Sequence, residues 1–175
     1  MATISKPIDG EFAPYASTYI SKVPETDLAV FCAGQETQFL AELRAISEAQ
    51  SFFRYAPGKW SLKETLGHIS DAERAFSYRL LRIARGDTTP LPPFEQDAWV
   101  LGSRCDERPW DDLISEFAAV RKATLALIHP LNEAEWSRMG TVSGYPVSAR
   151  ALGYIVAGHV EHHRHILRTF PPPAV

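Results

Sequence analysis

The stretch Gly158-His-Val-Glu-His-His-Arg-His165 constrains this chain more than any other. It places four of the six histidines within seven consecutive residues. Around it Leu152, Ile155, Val156, Ile166 and Phe170 recur at helical spacing, which predicts one amphipathic helix over 148–170. Ser148 supplies an N-cap, and the prolines at 171–173 supply a stop. At roughly 100° per residue the histidines diverge. His159 and His163 fall in the middle of the apolar stripe, His162 at its edge, and His165 points away. Residues four apart on a helix stand roughly 5–6 Å apart at Cβ, so two imidazoles can share one metal ion. Imidazoles on a core-facing stripe also need a partner, because an unsatisfied buried polar group is costly. A ligand from a second helix would provide it.

At 175 residues the chain is long enough for one domain with a sizeable core. We expect an N-terminal arm over 1–24 and a single domain over 25–175. Apolar residues make up 45% and charged residues 22%, as in a globular protein, and a net charge of -3 offers no nucleic-acid surface. No apolar run approaches the ~20 residues that span a membrane. The first residues lack the basic-then-apolar layout of a secretory signal, so the expected location is the cytoplasm. Cys32 and Cys105 have no CxxC or zinc-ribbon spacing and read as reduced core thiols, with a disulfide left open.

Taken in order, Pro7, Pro14 and Pro24 with scattered aromatics predict an extended arm rather than a regular element. A first helix is expected from 25–27 to about 47, with Leu28, Phe31, Gln35, Phe39, Leu43 and Ile46 on one face. A second starts at Ser61-Leu-Lys-Glu64, which fits a capping box. Its stripe runs through Leu62, Leu66, Ile69, Phe76, Leu80 and Ile83, with Glu73 an exception and Gly86 at the stop. His68 flanks that stripe beside Ala72 and Ala75. A short helix over 94–100 follows a proline-rich connection. A third long helix starts near Pro109 and runs through Leu113, Phe117, Val120, Leu125 and Ile128. A helical turn over 132–139 and a loop over 141–147 complete the chain, with no strand pair expected. Four long helices define an all-α four-helix bundle, an architecture that builds metal sites from facing helices.

An HxxxH pair alone is as compatible with packing as with metal. His68 near the same face of a second helix makes the joint pattern a three-histidine site, an open arrangement for a divalent metal. A ferritin-like di-iron site requires Glu-x-x-His, whereas Glu64, Glu73 and Glu161 are followed at that interval by Gly67, Phe76 and Arg164. A zincin requires HExxH, which is absent. His129, at a helix end, reads as structural. Glu64 and Asp71 either orient His68 or lie on a solvated face, and Asp97 either lines the site or faces solvent. Glu161 points away from the histidine pair. Trp60 and Trp99 wall a pocket or simply pack.

Three segments resemble the DinB/YfiT-like family: Gly58-Lys-Trp-Ser-Leu-Lys-Glu-Thr-Leu-Gly-His-Ile-Ser-Asp-Ala-Glu-Arg74, Leu91-Pro-Pro-Phe-Glu-Gln-Asp-Ala-Trp-Val100 and Gly158-His-Val-Glu-His-His163. The resemblance implies an up-down-down-up four-helix bundle, often a homodimer. It also implies a divalent metal, zinc or nickel foremost, on His68, His159 and His163. The implied activity is that of a metal-dependent hydrolase or a low-molecular-weight-thiol S-transferase acting on a small molecule, the metal activating a water or thiol. The alternative is a non-catalytic, stress-associated metal-binding bundle. No general base is evident.

Overall fold

A computed structural model describes residues 3–169. Phe170 and the expected stop at 171–173 lie outside the described residues. The α-helices are α1 (Ser17–Ile20), α2 (Leu28–Arg44), α3 (Leu62–Ala84), α4 (Gln96–Ser103), α5 (Trp110–Ile128), α6 (Glu133–Trp136) and α7 (Ala149–Thr169). Two short strands, β1 (Met139–Val142) and β2 (Tyr145–Ser148), precede α7.

Local chemistry sets the helix ends. The Asp27 carboxylate accepts the backbone N–H groups of Ala29 and Val30 at the start of α2. Ser61 and Glu64 form the expected capping box on α3, and Gly86, at φ +82°, follows its end. Ser148 Oγ accepts the N–H of Ala151, so it caps the histidine helix as expected.

Side-chain pairings fix the helix directions. Gln35 meets Arg121, Phe39 meets Phe117 and Trp110 reaches the Leu43 carbonyl, so α2 and α5 are antiparallel. Arg74 meets Glu116, Glu73 meets Arg121 and Ser77 meets Thr124, so α3 and α5 are parallel. Arg164 of α7 reaches Glu42 while Ala157 meets Gln35, so α7 runs with α2. The order is therefore up-down-down-up. Each of α2 and α3 packs against both α5 and α7.

Buried apolar residues form two clusters. One gathers Leu28, Cys32, Leu80, Ile83, Tyr154 and Ala157 with the arm and hairpin. The other gathers Phe39, Leu43, Leu66, Ile69, Phe117 and Val160. The buried polar residues Gln35, Glu73, Arg121 and His159 lie between them in sequence on all four helices.

Two expectations need correction. Residues 141–147 are not a loop: β1 and β2 pair antiparallel in the register Met139↔Ser148 to Val142↔Tyr145. Ser143 and Gly144, both with positive φ, make the tight turn of a two-residue hairpin. Pro146 lacks an N–H and belongs on an edge, which is where β2 sits. The arm also contains regular structure, a 3₁₀ turn at Pro14–Ala16 leading into α1. Helix α1 packs on α7, where Gly158 admits it: a Cβ there would lie 2.1 Å from the Tyr19 carbonyl oxygen. Both cysteines are free and buried. Among the described residues no helix is long and apolar enough to cross a membrane.

Candidate metal centre

The antiparallel packing of α3 on α7 brings His68 against His159 and His163. The Nε2 atoms of His68 and His159 are 3.1 Å apart, and those of His163 and His159 are 3.3 Å apart. Donor atoms of all three lie within 4.8 Å of one another. The residues are 5%, 3% and 8% exposed respectively. His68 is thus buried, although its helix pattern places it only at the flank of the stripe. His162 is half-buried and His165 exposed, as the helical wheel expects; His129 is exposed beyond the end of α5.

Burial decides the charge of these imidazoles. Desolvation pushes the His68 pKa down to about 4, against a smaller upward pull from the Asp97 carboxylate. Desolvation, and then the neighbouring imidazoles, holds His159 and His163 well below 6.5. All three are neutral near pH 7, the form that binds metal. A neutral ring nitrogen either carries a proton or offers one lone pair. His159 Nε2 therefore cannot form good linear hydrogen bonds to both neighbours at once. Nitrogens held 2.0–2.1 Å from a tetrahedral zinc stand roughly 3.3–3.4 Å apart, close to the observed spacing. The donor set fits a divalent transition metal.

The surroundings are aromatic on one side and open on another. Trp60 packs its ring 4.7 Å from that of His68. Tyr19 and Phe76 meet the His159 ring edge-on at 5.3 and 5.5 Å. A cavity of about 350 Å³ opens beside His163, with Tyr55, Lys59, Trp60, Thr65 and Asp97 among its lining residues. A larger hollow of about 510 Å³ lies at the other end of the bundle, around Glu25, Trp136 and Arg150. Among the described residues the histidine group adjoins the smaller cavity, through His163.

The acidic candidates separate. Glu64 serves the capping box and pairs with Arg54, and Asp71 pairs with Arg74. Asp97 lines the cavity. Trp60 lines it too, whereas Trp99 stacks on Phe94 with ring centroids 4.4 Å apart. Glu161 points away from the histidine pair but is not idle, accepting from Gln35 Nε2 and Arg164 Nη1.

Sequence reasoning missed the neighbouring polar layer. Arg121, fully buried, makes a two-pronged contact with Glu73 at 2.8 and 2.7 Å and donates to Gln35 Oε1 at 2.7 Å. Gln35 Nε2 donates in turn to the Ala157 carbonyl and to Glu161. The visible signal was Gln35 and Glu73 interrupting two apolar faces. Arg121 carried no comparable mark.

Two helices of an up-down-down-up bundle thus converge three neutral imidazoles, a group that could hold a metal ion, beside an open cavity. The sequence matches the DinB superfamily over residues 33–167, and the chain belongs to that family. Its fold is similar to that of YfiT from Bacillus subtilis, described as a probable metal-dependent hydrolase with an unusual four-helix bundle topology. That likeness has a TM-score of 0.69 at 15% identity and covers 97% of this chain and 95% of that one. The fold is also similar to that of a mycothiol-dependent maleylpyruvate isomerase, with a TM-score of 0.68 at 14% identity, covering 89% of this chain and 64% of that one. At these identities the likeness is one of fold. Among curated proteins no sequence matches the chain.

Proposed function

We propose that this protein is a divalent-metal-dependent enzyme, first of all a hydrolase of a small molecule, with His68, His159 and His163 holding zinc or nickel. The observation that carries this is the convergence of three neutral Nε2 atoms at 3.1 and 3.3 Å. When bound, the metal supplies a Lewis acid that lowers the pKa of a water or thiol toward neutrality. The protein's part is positioning. Trp60 holds one face of His68 and Tyr19 one edge of His159, which limits ring rotation. The cavity beside His163 gives a substrate access, as a catalytic site requires and a sealed structural site does not. In this reading Asp97, on the cavity wall, is the carboxylate that would accept a proton from a nucleophile there; its place in the cavity lining supports this.

Transfer of a low-molecular-weight thiol is the second reading. It is favoured by the cavity's volume of about 350 Å³, which lies in the range for small organic ligands. The fold likeness to a mycothiol-dependent enzyme points the same way.

The test is metal content by mass spectrometry on untagged protein, beside His159→Ala and His163→Ala. About one transition-metal ion per chain, lost in both variants, is the expected result. Protein without metal that takes up neither zinc nor nickel would end the enzyme reading. Turnover of electrophilic substrates only with an added thiol would select the transferase over the hydrolase.

A further inference from the structure

From Ala151 to Val160 every residue of α7 is buried, and α2 grips this helix through hydrogen bonds. Gln35 Nε2 donates to the Ala157 carbonyl at 2.9 Å and to Glu161 Oε1 at 2.8 Å. Its amide has one orientation only, because the guanidinium of Arg121, which cannot accept, donates to Gln35 Oε1 and leaves the NH2 to α7. Arg164 donates to the same Glu161 oxygen and, at 2.8 Å, to Glu42 of α2. Among the described residues α2 supplies nothing to the histidine group or to the lining of the cavity beside His163. Glu161 lies between His159 and His163 in the sequence and points away from both, and the proposed chemistry does not use it.

At about 100° per residue, positions 157, 161 and 164 fall within an arc of about 60°, and His159 and His163 leave the helix roughly 150° away from it. The grip therefore acts on the side of α7 remote from the imidazoles, and sets the rotation of the helix about its own axis. Side-chain atoms lie about 6 Å from a helix axis, so a turn of about 10° would carry a His159 nitrogen about 1 Å relative to His68. That is several times the ~0.2 Å within which metal–ligand distances are held. Apolar packing is non-directional and resists such a turn weakly, whereas hydrogen bonds weaken steeply when bent. We propose that Gln35 and Glu161 are positioning residues, whose hydrogen bonds hold α7 at the rotation that sets His159 Nε2 3.1 Å from His68 Nε2. That the imidazoles hold a metal rests on the proposed function; that α2 sets their spacing does not.

Cobalt(II) is the probe, added to the metal-free full chain, with chelator competition to read affinity and visible absorption to read coordination geometry. Gln35→Met and Glu161→Leu should each weaken cobalt by about 10- to 100-fold and alter its bands. Glu161→Gln, which keeps an acceptor oxygen, should bind as the unsubstituted protein does. A folded Gln35→Met or Glu161→Leu with unchanged cobalt affinity and bands would overturn the proposal, whatever its urea midpoint. Glu161 is only partly buried, so its two variants carry the test if Gln35→Met does not fold. Unsubstituted protein that takes up no cobalt would count against the metal reading, and the rings are then followed directly by nitrogen NMR on metal-free protein. There the ring-nitrogen resonances of His68, His159 and His163 should move in Glu161→Leu and hold in Glu161→Gln, with His129 unmoved in both. Histidine resonances that stay in place in Glu161→Leu would overturn the proposal.

Discussion

Two polar clusters sit side by side in this bundle's core, and they are buried to a similar degree. In the Arg121–Glu73–Gln35 layer the guanidinium donates to Glu73 and Gln35, and the Gln35 amide donates on to the Ala157 carbonyl and Glu161, so donors meet acceptors throughout. In the histidine cluster the polar atoms face one another at a common centre and open toward a cavity. The first cluster is complete as folded and reads as structural. The second brings three imidazole donors to one point, as a group that could hold a cation does, and reads as a candidate site. Burial alone does not separate the two; partner geometry does.

The largest expected effect that sharpens this contrast is in the closed layer. Glu73→Ala leaves the Arg121 guanidinium buried without its counter-charge and should cost about 3–5 kcal/mol in urea unfolding. Replacing both residues, Glu73→Leu with Arg121→Met, should recover much of that. A single-variant loss below about 1 kcal/mol would mean that the layer is not closed.

The open cluster should respond to protons instead. In metal-free protein the unfolded histidines titrate near 6.5, whereas burial pushes folded His68 down to about 4 and holds His159 and His163 well below 6.5. The unfolded state therefore binds more protons as pH falls, and stability, fully present above 6.5, declines between about 6.5 and 4. For His68 alone the loss is on the order of 3 kcal/mol. Denaturant midpoints of chelator-treated protein would show it, and a midpoint flat across that window would contradict neutral burial.

The smallest effect concerns Cys32, beside the closed layer. Burial pushes its thiol up to about 11, so iodoacetamide at pH 8 should leave Cys32 of the folded protein unmodified and label it only after unfolding. Rapid labelling of native protein would show that this part of the core opens.

Much of this was legible in the sequence. The capping box at Ser61 and the stripe of α7 rest on local rules, and local rules located both helices and the His159/His163 pair. His68 was only half legible, because its own helix places it at a flank and the approach of α7 buries it. Arg121 was not legible. A charge beside an apolar stripe commonly reaches solvent along its stem, and only the assembled bundle sets Glu73 against it. The hairpin escaped because its strands have four residues each and one carries Pro146.

Because α3 and α5 run in the same direction, the chain must travel back along the outside of the bundle between Ala84 and Trp110. That return segment delivers Phe94, Asp97 and Trp99, with Asp97 and Gln96 on the cavity wall and Pro92 and Phe94 against Arg79. The three histidines sit on the bundle itself, while Gln96 and Asp97, two of the residues that line the cavity, sit on the strap. The two can therefore diverge separately. Exchanging residues 90–103 between relatives would change the Gln96–Asp97 wall of the cavity and leave the helices that carry the three histidines unaltered.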